Sequence, residues 1–406
     1  MKSHFSEEFF KNNRAGLRKL FAGTAPIVIT ANGLLQRSGD TTFSFRQDSN
    51  FWYLTGINQP DFVLVMDKNE EYLIAPPRSR SQNVMEGQLG LAPLAKMAGI
   101  SKILDNNEGW KKLDSRLKKV KHAATIAALP EYIEHHGFYV NPARQNLTEK
   151  LKSSNPEIKL LDLKPHLIRL RVIKQPAELD VISEAIAITA KAFRKVKTKL
   201  TKYKHEFEVE AELGGEFRRL GASGHAFSPI VASDLNATTI HYTDNNEPLK
   251  NKNFILIDGG AEVENYVADI SRTYFIKTPT KRQKAVYTAV KEVQEYAINL
   301  LGPGVILKNY EKLVEAYMGE KLRELGLIKT ISSENVRKFF PHGTTHFLGL
   351  DAHDSGDYER PLEPGMVLTV EPGIYIPKEK IGIRIEDDFL VTEDGLKNLS
   401  QKVPYA

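Results

Sequence analysis

FILIDGGAEVENYVADISRTYFI, residues 254 to 276, holds two aspartates inside apolar runs. Asp258 ends the strand-like segment FILID, and a carboxylate sealed between Ile257 and Gly259 is costly unless it is paired or ligated. Asp269 follows a second apolar stretch. Their separation of eleven residues would face them oppositely on one straight strand. A turn near EVENY instead makes them neighbours across a hairpin. The plainer alternative is one turn residue and one salt bridge to Arg272, but FILID gives Asp258 little reason to sit in a turn.

A second hairpin downstream has the same character. Glu371 follows MVLTV and precedes PGIYI, at a strand end. In IGIRIEDDFLVT (381–392), Ile381, Ile383 and Ile385 face one way, so Arg384 and Glu386 share the other face. Asp258, Asp269, Glu371 and Glu386 converging on a point would repel one another, and cations of matching charge make that tolerable. With one histidine they form a five-ligand, oxygen-rich site that suits two divalent ions. Histidines concentrate in HGTTHFLGLDAHD (342–354). The His342–His346 spacing suits a helix, but Gly343, Thr344 and Thr345 fill a helix poorly. The zinc-protease helix signature also needs a glutamate where Gly343 stands. On spacing alone, metal binding, substrate handling and a polar loop bonded to its own backbone all stay open.

Outward from these hairpins the order of elements repeats. Residues 172–200 begin a second domain, with Pro176 starting a long amphipathic helix and Glu178 in its first turn, where the dipole favours an anion. A helix around EFEVEAELGGEFRRLG follows, then strands in FSPIVAS, ATTIHY, FILIDGGA and YVADISRTYFI. Two more helices, TKRQKAVYTAVKEVQEYAINL and NYEKLVEAYMGEKLRELG, precede the strands of LEPGMVLTVEPGIYI and IGIRIEDDFLVT. Helix, helix, antiparallel strands, twice over, suggests a duplicated unit whose two sheets meet around one cleft. The first 165 residues alternate strands (APIVITANG, DFVLVMDKNEEYLIAPP) with helical segments (LAPLAKMAGISKIL, GWKKLDSRLKKV, LPEYIEHHGFYV), an α/β layer. NPARQNLTEKLKSSNPEIKLLDLKPHLIRLR adds a helix and a strand before a basic connector.

The chain's 406 residues exceed a single core, so two domains are expected. Its formal charge of +5 arises from 56 basic and 51 acidic residues. The basic runs 111–122 and 191–205 alternate charge with apolar residues at helical spacing and read as solvated helix faces, so no nucleic-acid partner is expected. There is no cysteine, so any metal must be held by nitrogen and oxygen. MKSHFSEEFFKNNRAGLRKLFAG is neither a secretory signal nor a membrane span, so a cytoplasmic location and no membrane partner are expected.

The ordered set Asp258, Asp269, His346, Glu371, Glu386, in the contexts IDGG, ADISRT, HGTTHFLGLDAHD, TVEPGIY and GIRIEDD, resembles the pita-bread dinuclear metallopeptidases. Those contexts resemble the Xaa-Pro aminopeptidase (aminopeptidase P) branch, with prolidase a close relative. RSGDTTFSFRQDSNFWYLTGINQPDFVLVM (37–66) and NVMEGQLG look like that branch's N-terminal domain. The resemblance implies an α/β protein of two domains. These are an N-terminal domain over 1–168 and a duplicated α+β pita-bread catalytic domain over 169–406.

It also implies two divalent ions, typically Mn2+, with Zn2+ or Co2+ able to take the same place. Asp258 would bind one ion and Asp269 would bridge both. His346 would join Glu371 on the other ion, and Glu386 would bridge again. His241, His342 and His353 match positions that bind substrate or move protons. Arg384 and Tyr375 match positions that support the bridging carboxylates and the reaction intermediate. His4, His122, His135, His136, His166, His205 and His225 have no acidic constellation, and most are expected at the surface.

The implied reaction releases the N-terminal residue from peptides with proline second, by attack of a metal-bridging hydroxide. The proline nitrogen carries no hydrogen, so the site must act without a donor there before cleavage. Glu371 would take the water's proton and pass it toward that nitrogen, and His353 would help polarise the carbonyl. His241 and His342 would shape the proline side. Met85 stands where a tryptophan is common in the family, and Asp234 where a glycine is common. Either departure would bear on peptide preference or subunit pairing, in what the resemblance implies is a homo-oligomer, a dimer or tetramer. Prolidase, methionine aminopeptidase, a metal-free creatinase-like amidinohydrolase and a non-catalytic scaffold are the competing readings. The complete ligand set argues against the last two, and the long N-terminal extension against methionine aminopeptidase.

Overall fold

The computed structural model describes residues 3–68, 70–126, 137 and 139–406. Most of LPEYIEHHGFYV, with His135 and His136, lies outside the described residues. The chain divides into two compact units, Met1–Leu170 and Arg171–Ala406.

In the first unit the strands are β1 (Ile27–Thr30), β2 (Gln36–Ser38), β3 (Thr41–Thr42), β4 (Val63–Met66), β5 (Glu71–Ile74), β6 (Ile103–Leu104), β7 (His122–Thr125) and β8 (Lys159–Asp162). Six of them form a mixed sheet in the order β6-β5-β4-β1-β7-β8. Every residue of β1 and β4 is buried, the near-continuous apolar pattern of strands covered on both faces. Leu113 and Leu117 of the helix Asn106–Leu117, with Leu147 and Leu151 of the helix Ala143–Ser154, share one core with Val28, Val65 and Ile74. Residues 164–171, read from sequence as a basic connector, are the helix Lys164–Arg171.

The second unit opens with the helix Pro176–Lys199, begun by Pro176 and a capping box. Glu178 does more there than meet the helix dipole. Its Oε2 accepts the Gln175 N–H at 2.9 Å and its Oε1 the Tyr266 O–H at 2.7 Å, and burial pushes its carboxyl up to about 7. After the helix Glu206–Arg219 come β9 (Gly224–His225), β10 (Ile230–Ser233), β11 (Phe254–Asp258), β12 (Ala261–Val263), β13 (Tyr266–Val267) and β14 (Ser271–Phe275). The helices Lys281–Leu300 and Leu307–Glu324 follow. Then come β15 (Val367–Val370), β16 (Gly373–Ile376), β17 (Ile381–Arg384), β18 (Asp387–Thr392) and β19 (Gly395–Asn398). Helix, helix, antiparallel strands therefore occurs twice, the duplicated α+β pita-bread arrangement. Lys195 and Lys199 on the basic face of the first helix pair with Glu212 and Glu216 of the next.

ATTIHY is not the strand its composition suggests. Residues Asp234–Thr238 form a 3-10 turn. Asp234 sits at a left-handed φ of 46°. Its carboxylate accepts the Asn253 and Phe254 N–H groups at 3.0 and 3.2 Å. A side chain bonding backbone in this way competes with strand pairing.

The hairpin at EVENY is present. β12 and β13 pair Val263 with Tyr266, and Glu264 and Asn265 between them both have positive φ, the geometry that lets a two-residue turn follow strand twist. β11 and β14 place Asp258 opposite Ser271. Gly260 lies between, where a Cβ would come within 1.7 Å of the Ala268 carbonyl oxygen. Gly260→Ala is therefore expected to cost about 1–3 kcal/mol by overpacking. It is also expected to weaken divalent-ion binding, because it pushes apart the segments that carry Asp258 and Asp269. Thermal unfolding and metal titration of the variant check both effects.

Candidate metal centre

His346 lies on no helix. Its segment runs beside β15: the His346 carbonyl accepts the Thr369 N–H at 2.9 Å, and Leu348 N–H donates to Val367 at 3.0 Å. The Thr344 carbonyl accepts the Glu371 N–H at 2.8 Å, which brings Glu371 beside the histidine. His346 Nδ1 lies 3.1 Å from the Phe347 carbonyl oxygen, an acceptor only. This contact assigns the ring proton to Nδ1 and leaves Nε2 with a lone pair.

Nε2 faces Asp269 Oδ2 and Glu371 Oε1 at 3.6 Å each and Glu386 Oε1 at 3.9 Å. These distances are too long for hydrogen bonds. Ligand atoms of Asp269, His346 and Glu386 all lie within 4.8 Å of one another. Donors that share one cation at bonds of about 2.0–2.2 Å stand at comparable separations.

The carboxylates divide their oxygens between protein and centre. Asp258 Oδ2 accepts from Arg384 Nη2 at 2.6 Å, and Glu386 Oε2 accepts from Ser271 Oγ at 2.8 Å. Asp258 Oδ1 and Glu386 Oε1 are buried and make no hydrogen bond, the disposition expected of metal-binding oxygens. Burial, and then the Asp258 charge, push Glu386 up to about 8. Burial, and then Glu386, raise Asp269 and Glu371 well above the usual carboxylate range. His346 is lowered to about 3 by burial and then by His353, so its imidazole is neutral at pH 7. Neutral nitrogen and crowded buried oxygens are the donor set a divalent cation needs, and the residues fit a metal-binding site.

Around this set runs a chain of hydrogen bonds. Arg384 Nε donates to Ser271 Oγ at 2.8 Å and Nη1 to Tyr375 Oη at 2.8 Å. Tyr375 Oη lies 2.8 Å from His342 Nε2, and His342 Nδ1 lies 2.8 Å from the Gly343 carbonyl. The His342 ring is thus held with Nε2 accepting the tyrosine proton. Burial and the Arg384 charge lower it to about 3. His353 is exposed and its ring stacks on His346, centroids 4.2 Å apart.

His241 is exposed. Arg272 does not serve Asp258 or Asp269, since its Nη2 binds Asp387 at 2.6 Å. His225 is half-buried against Phe217 rather than at the surface. Met85 is exposed on the helix Arg80–Glu86 of the first unit.

Three residues were not singled out from sequence. Ser271 links Arg384 to Glu386, and with Asp269 lying outside β14 no strand periodicity marked it. Asp388 accepts the Asp269 N–H at 3.2 Å, and the doubled acid in GIRIEDD pointed to it. Glu311 accepts the Thr344 N–H on both oxygens at 3.0 Å, and one glutamate among several on an amphipathic helix gave no signal.

The raised carboxyls fix a pH dependence. With folded values above the unfolded 4.5 of Glu371 and Glu386 and 3.8 of Asp269, reaching about 8 at Glu386, the metal-free fold binds protons more tightly than the unfolded chain. That contribution to stability is present below pH 4.5 and is lost as pH rises through about 8. A divalent ion must displace these protons, so affinity is expected to fall by up to about tenfold per pH unit per proton below pH 8. Calorimetric Mn2+ titrations in buffers of different ionisation enthalpy would show the proton release.

The model of metallopeptidase family M24 matches residues 180–393, and that of the aminopeptidase P N-terminal domain matches residues 10–126. Human Xaa-Pro aminopeptidase 3 is 34% identical over 410 residues, covering 93% of this chain and 78% of the human protein. The Xaa-Pro aminopeptidase of Escherichia coli strain K12 is 33% identical over 426 residues, covering 98% of this chain and 95% of that protein. The structure of E. coli aminopeptidase P with the inhibitor Pro-Leu superposes with a TM-score of 0.86 at 31% identity, covering 99% of this chain and 96% of that one. The chain belongs to metallopeptidase family M24, in its aminopeptidase P branch.

Proposed function

We propose that this chain is a metal-dependent aminopeptidase that releases the first residue of peptides with proline in the second position. The observation that carries the reading is the His346 Nε2 lone pair facing carboxylate oxygens of Asp269, Glu371 and Glu386. Asp258, Asp269, His346, Glu371 and Glu386 would hold two divalent ions, Mn2+ first, with Zn2+ or Co2+ as substitutes. When bound, such ions polarise a carbonyl and lower the pKa of a water to near neutrality.

The remaining chemistry falls to the chain. Glu371 takes the proton of the attacking water and passes it to the proline nitrogen, which has no hydrogen of its own and leaves only once protonated. His353, on the exposed side of His346, donates to the attacked carbonyl oxygen. Arg384 holds Asp258, and through Tyr375 it fixes the His342 ring. His342 and His241 then line the proline side. Pro-Leu, an inhibitor of the E. coli relative, is what such cleavage would leave from an Xaa-Pro-Leu tripeptide. The N-terminal domain, which we place at residues 1–168, would pair subunits in a homo-oligomer, in the cytoplasm. Among the described residues no helix is long and apolar enough to cross a membrane.

The test is hydrolysis of Xaa-Pro-Yaa tripeptides, Xaa-Pro dipeptides and Xaa-Ala-Yaa controls by chelated enzyme with Mn2+ restored. Release of the first residue from the proline tripeptide alone, or in large excess, is expected. Cleavage of the dipeptide alone would make the protein a prolidase. No cleavage with Mn2+, Zn2+ or Co2+ would defeat the reading.

A further inference from the structure

Glu206 opens the helix Glu206–Arg219 and is fully buried. Its Oε1 accepts the Ser233 N–H at 2.7 Å, the Ser233 O–H at 2.6 Å and Asn236 Nδ2 at 3.2 Å. Its Oε2 accepts the Tyr242 O–H at 2.8 Å and the Glu247 N–H at 3.0 Å. All five donors belong to residues 233–247, and His241 lies within that span. One helical turn on, Glu210 Oε2 accepts from Asn245 Nδ2 at 2.9 Å, and Asn245 Oδ1 accepts the Val231 N–H at 2.9 Å.

Beyond Ser233, which ends β10, the segment has little regular structure to hold it, only the 3-10 turn Asp234–Thr238. A carboxylate this deeply buried needs its oxygens matched by donors, and here one loop supplies them. On its other side the loop lies against β17. A Cβ on Gly382 would come within 1.9 Å of the Ala237 carbonyl oxygen, two residues before Arg384. Along the chain, Tyr242 turns its hydroxyl inward to Glu206 while the preceding His241 is exposed.

We infer that Glu206 is a positioning residue for His241: it clamps the 233–247 loop so that the imidazole meets the proline side of the substrate. The inference rests on the proposed reading of His241.

The test compares Glu206→Gln, Tyr242→Phe and His241→Ala, singly and as the doubles with His241→Ala, on an Xaa-Pro-Yaa peptide at saturating Mn2+. Glu206→Gln sets an amide N–H against donors on one side of the clamp, and Tyr242→Phe removes a single hydroxyl with little risk to folding. Glu206→Gln is expected to raise KM about tenfold and Tyr242→Phe about threefold, with kcat within about twofold and the Mn2+ midpoint unmoved. In the His241→Ala background both effects vanish, because residues acting through one group are not additive. Additive losses, or a KM left unchanged by both single variants, would overturn the inference while the wild type remains an active aminopeptidase. An active His241→Ala enzyme with wild-type KM would overturn the role of His241 and the inference with it. A wild type inert on every proline peptide would overturn the proposed activity first.

Discussion

His346→Ala is expected to lower kcat/KM for an Xaa-Pro-Yaa peptide by on the order of a thousandfold or more, about 4 kcal/mol of transition-state stabilisation. Nε2 is the nitrogen that faces the cluster formed by Asp269, Glu371 and Glu386, so its loss leaves an all-oxygen set with one donor fewer. The Mn2+ midpoint should move to higher concentration by at least about a hundredfold, since even outer partners of a metal ligand are worth about 10–100-fold. The fold should survive. Backbone bonds to Thr369 and Val367, not the imidazole, hold the segment against β15. Steady-state kinetics over a range of Mn2+, with circular dichroism of the variant, separate these effects. A variant within tenfold of wild type would remove His346 from the centre.

The second large effect concerns Arg384. It is 2% exposed and donates to Ser271, Tyr375 and Asp258. Arg384→Met takes away the cation and leaves the Asp258 carboxylate buried without its partner. Breaking a buried pair from one side costs about 3–5 kcal/mol, and that loss is expected in chemical denaturation of the metal-free protein. With Mn2+ present the loss should shrink, because divalent charge neutralises the same carboxylate. A destabilisation equal in both states would separate Arg384 from the metal site. Catalysis should fall as well, since Tyr375 and through it His342 lose their anchor.

Much of this centre is legible along the chain because its residues break local rules. Asp258 ends an apolar strand with no turn to justify it, and Arg384 and Glu386 share the parity that isoleucines set on the other face. Those are properties of single strands. Ser271 is different. Its importance comes from β14 lying beside β17, a tertiary fact with no periodicity to announce it. Glu311 reaches Thr344 across 33 residues, and nothing about its own helix marks it.

The spacing of His342 and His346 could not rank them. The partners of each Nε2 do: the Tyr375 hydroxyl for His342, and carboxylate oxygens of Asp269, Glu371 and Glu386 for His346. ATTIHY misled for a similar reason. Its β-branched residues favour a strand, but the Asp234 carboxylate takes the Asn253 and Phe254 amide protons and turns the chain. The start of the helix Pro176–Lys199 fared better, since Pro176 and the first-turn Glu178 are written into neighbouring residues.

Adding Mn2+ stepwise to metal-free enzyme, while counting bound ions and following release of the first residue from an Xaa-Pro-Yaa tripeptide, decides whether the buried acids and His346 hold the cations that drive cleavage. Two ions per chain are expected, with no release before metal and a rate that rises with occupancy. Full activity in the metal-free protein, or saturation by Mn2+ that leaves the tripeptide uncut, would contradict it.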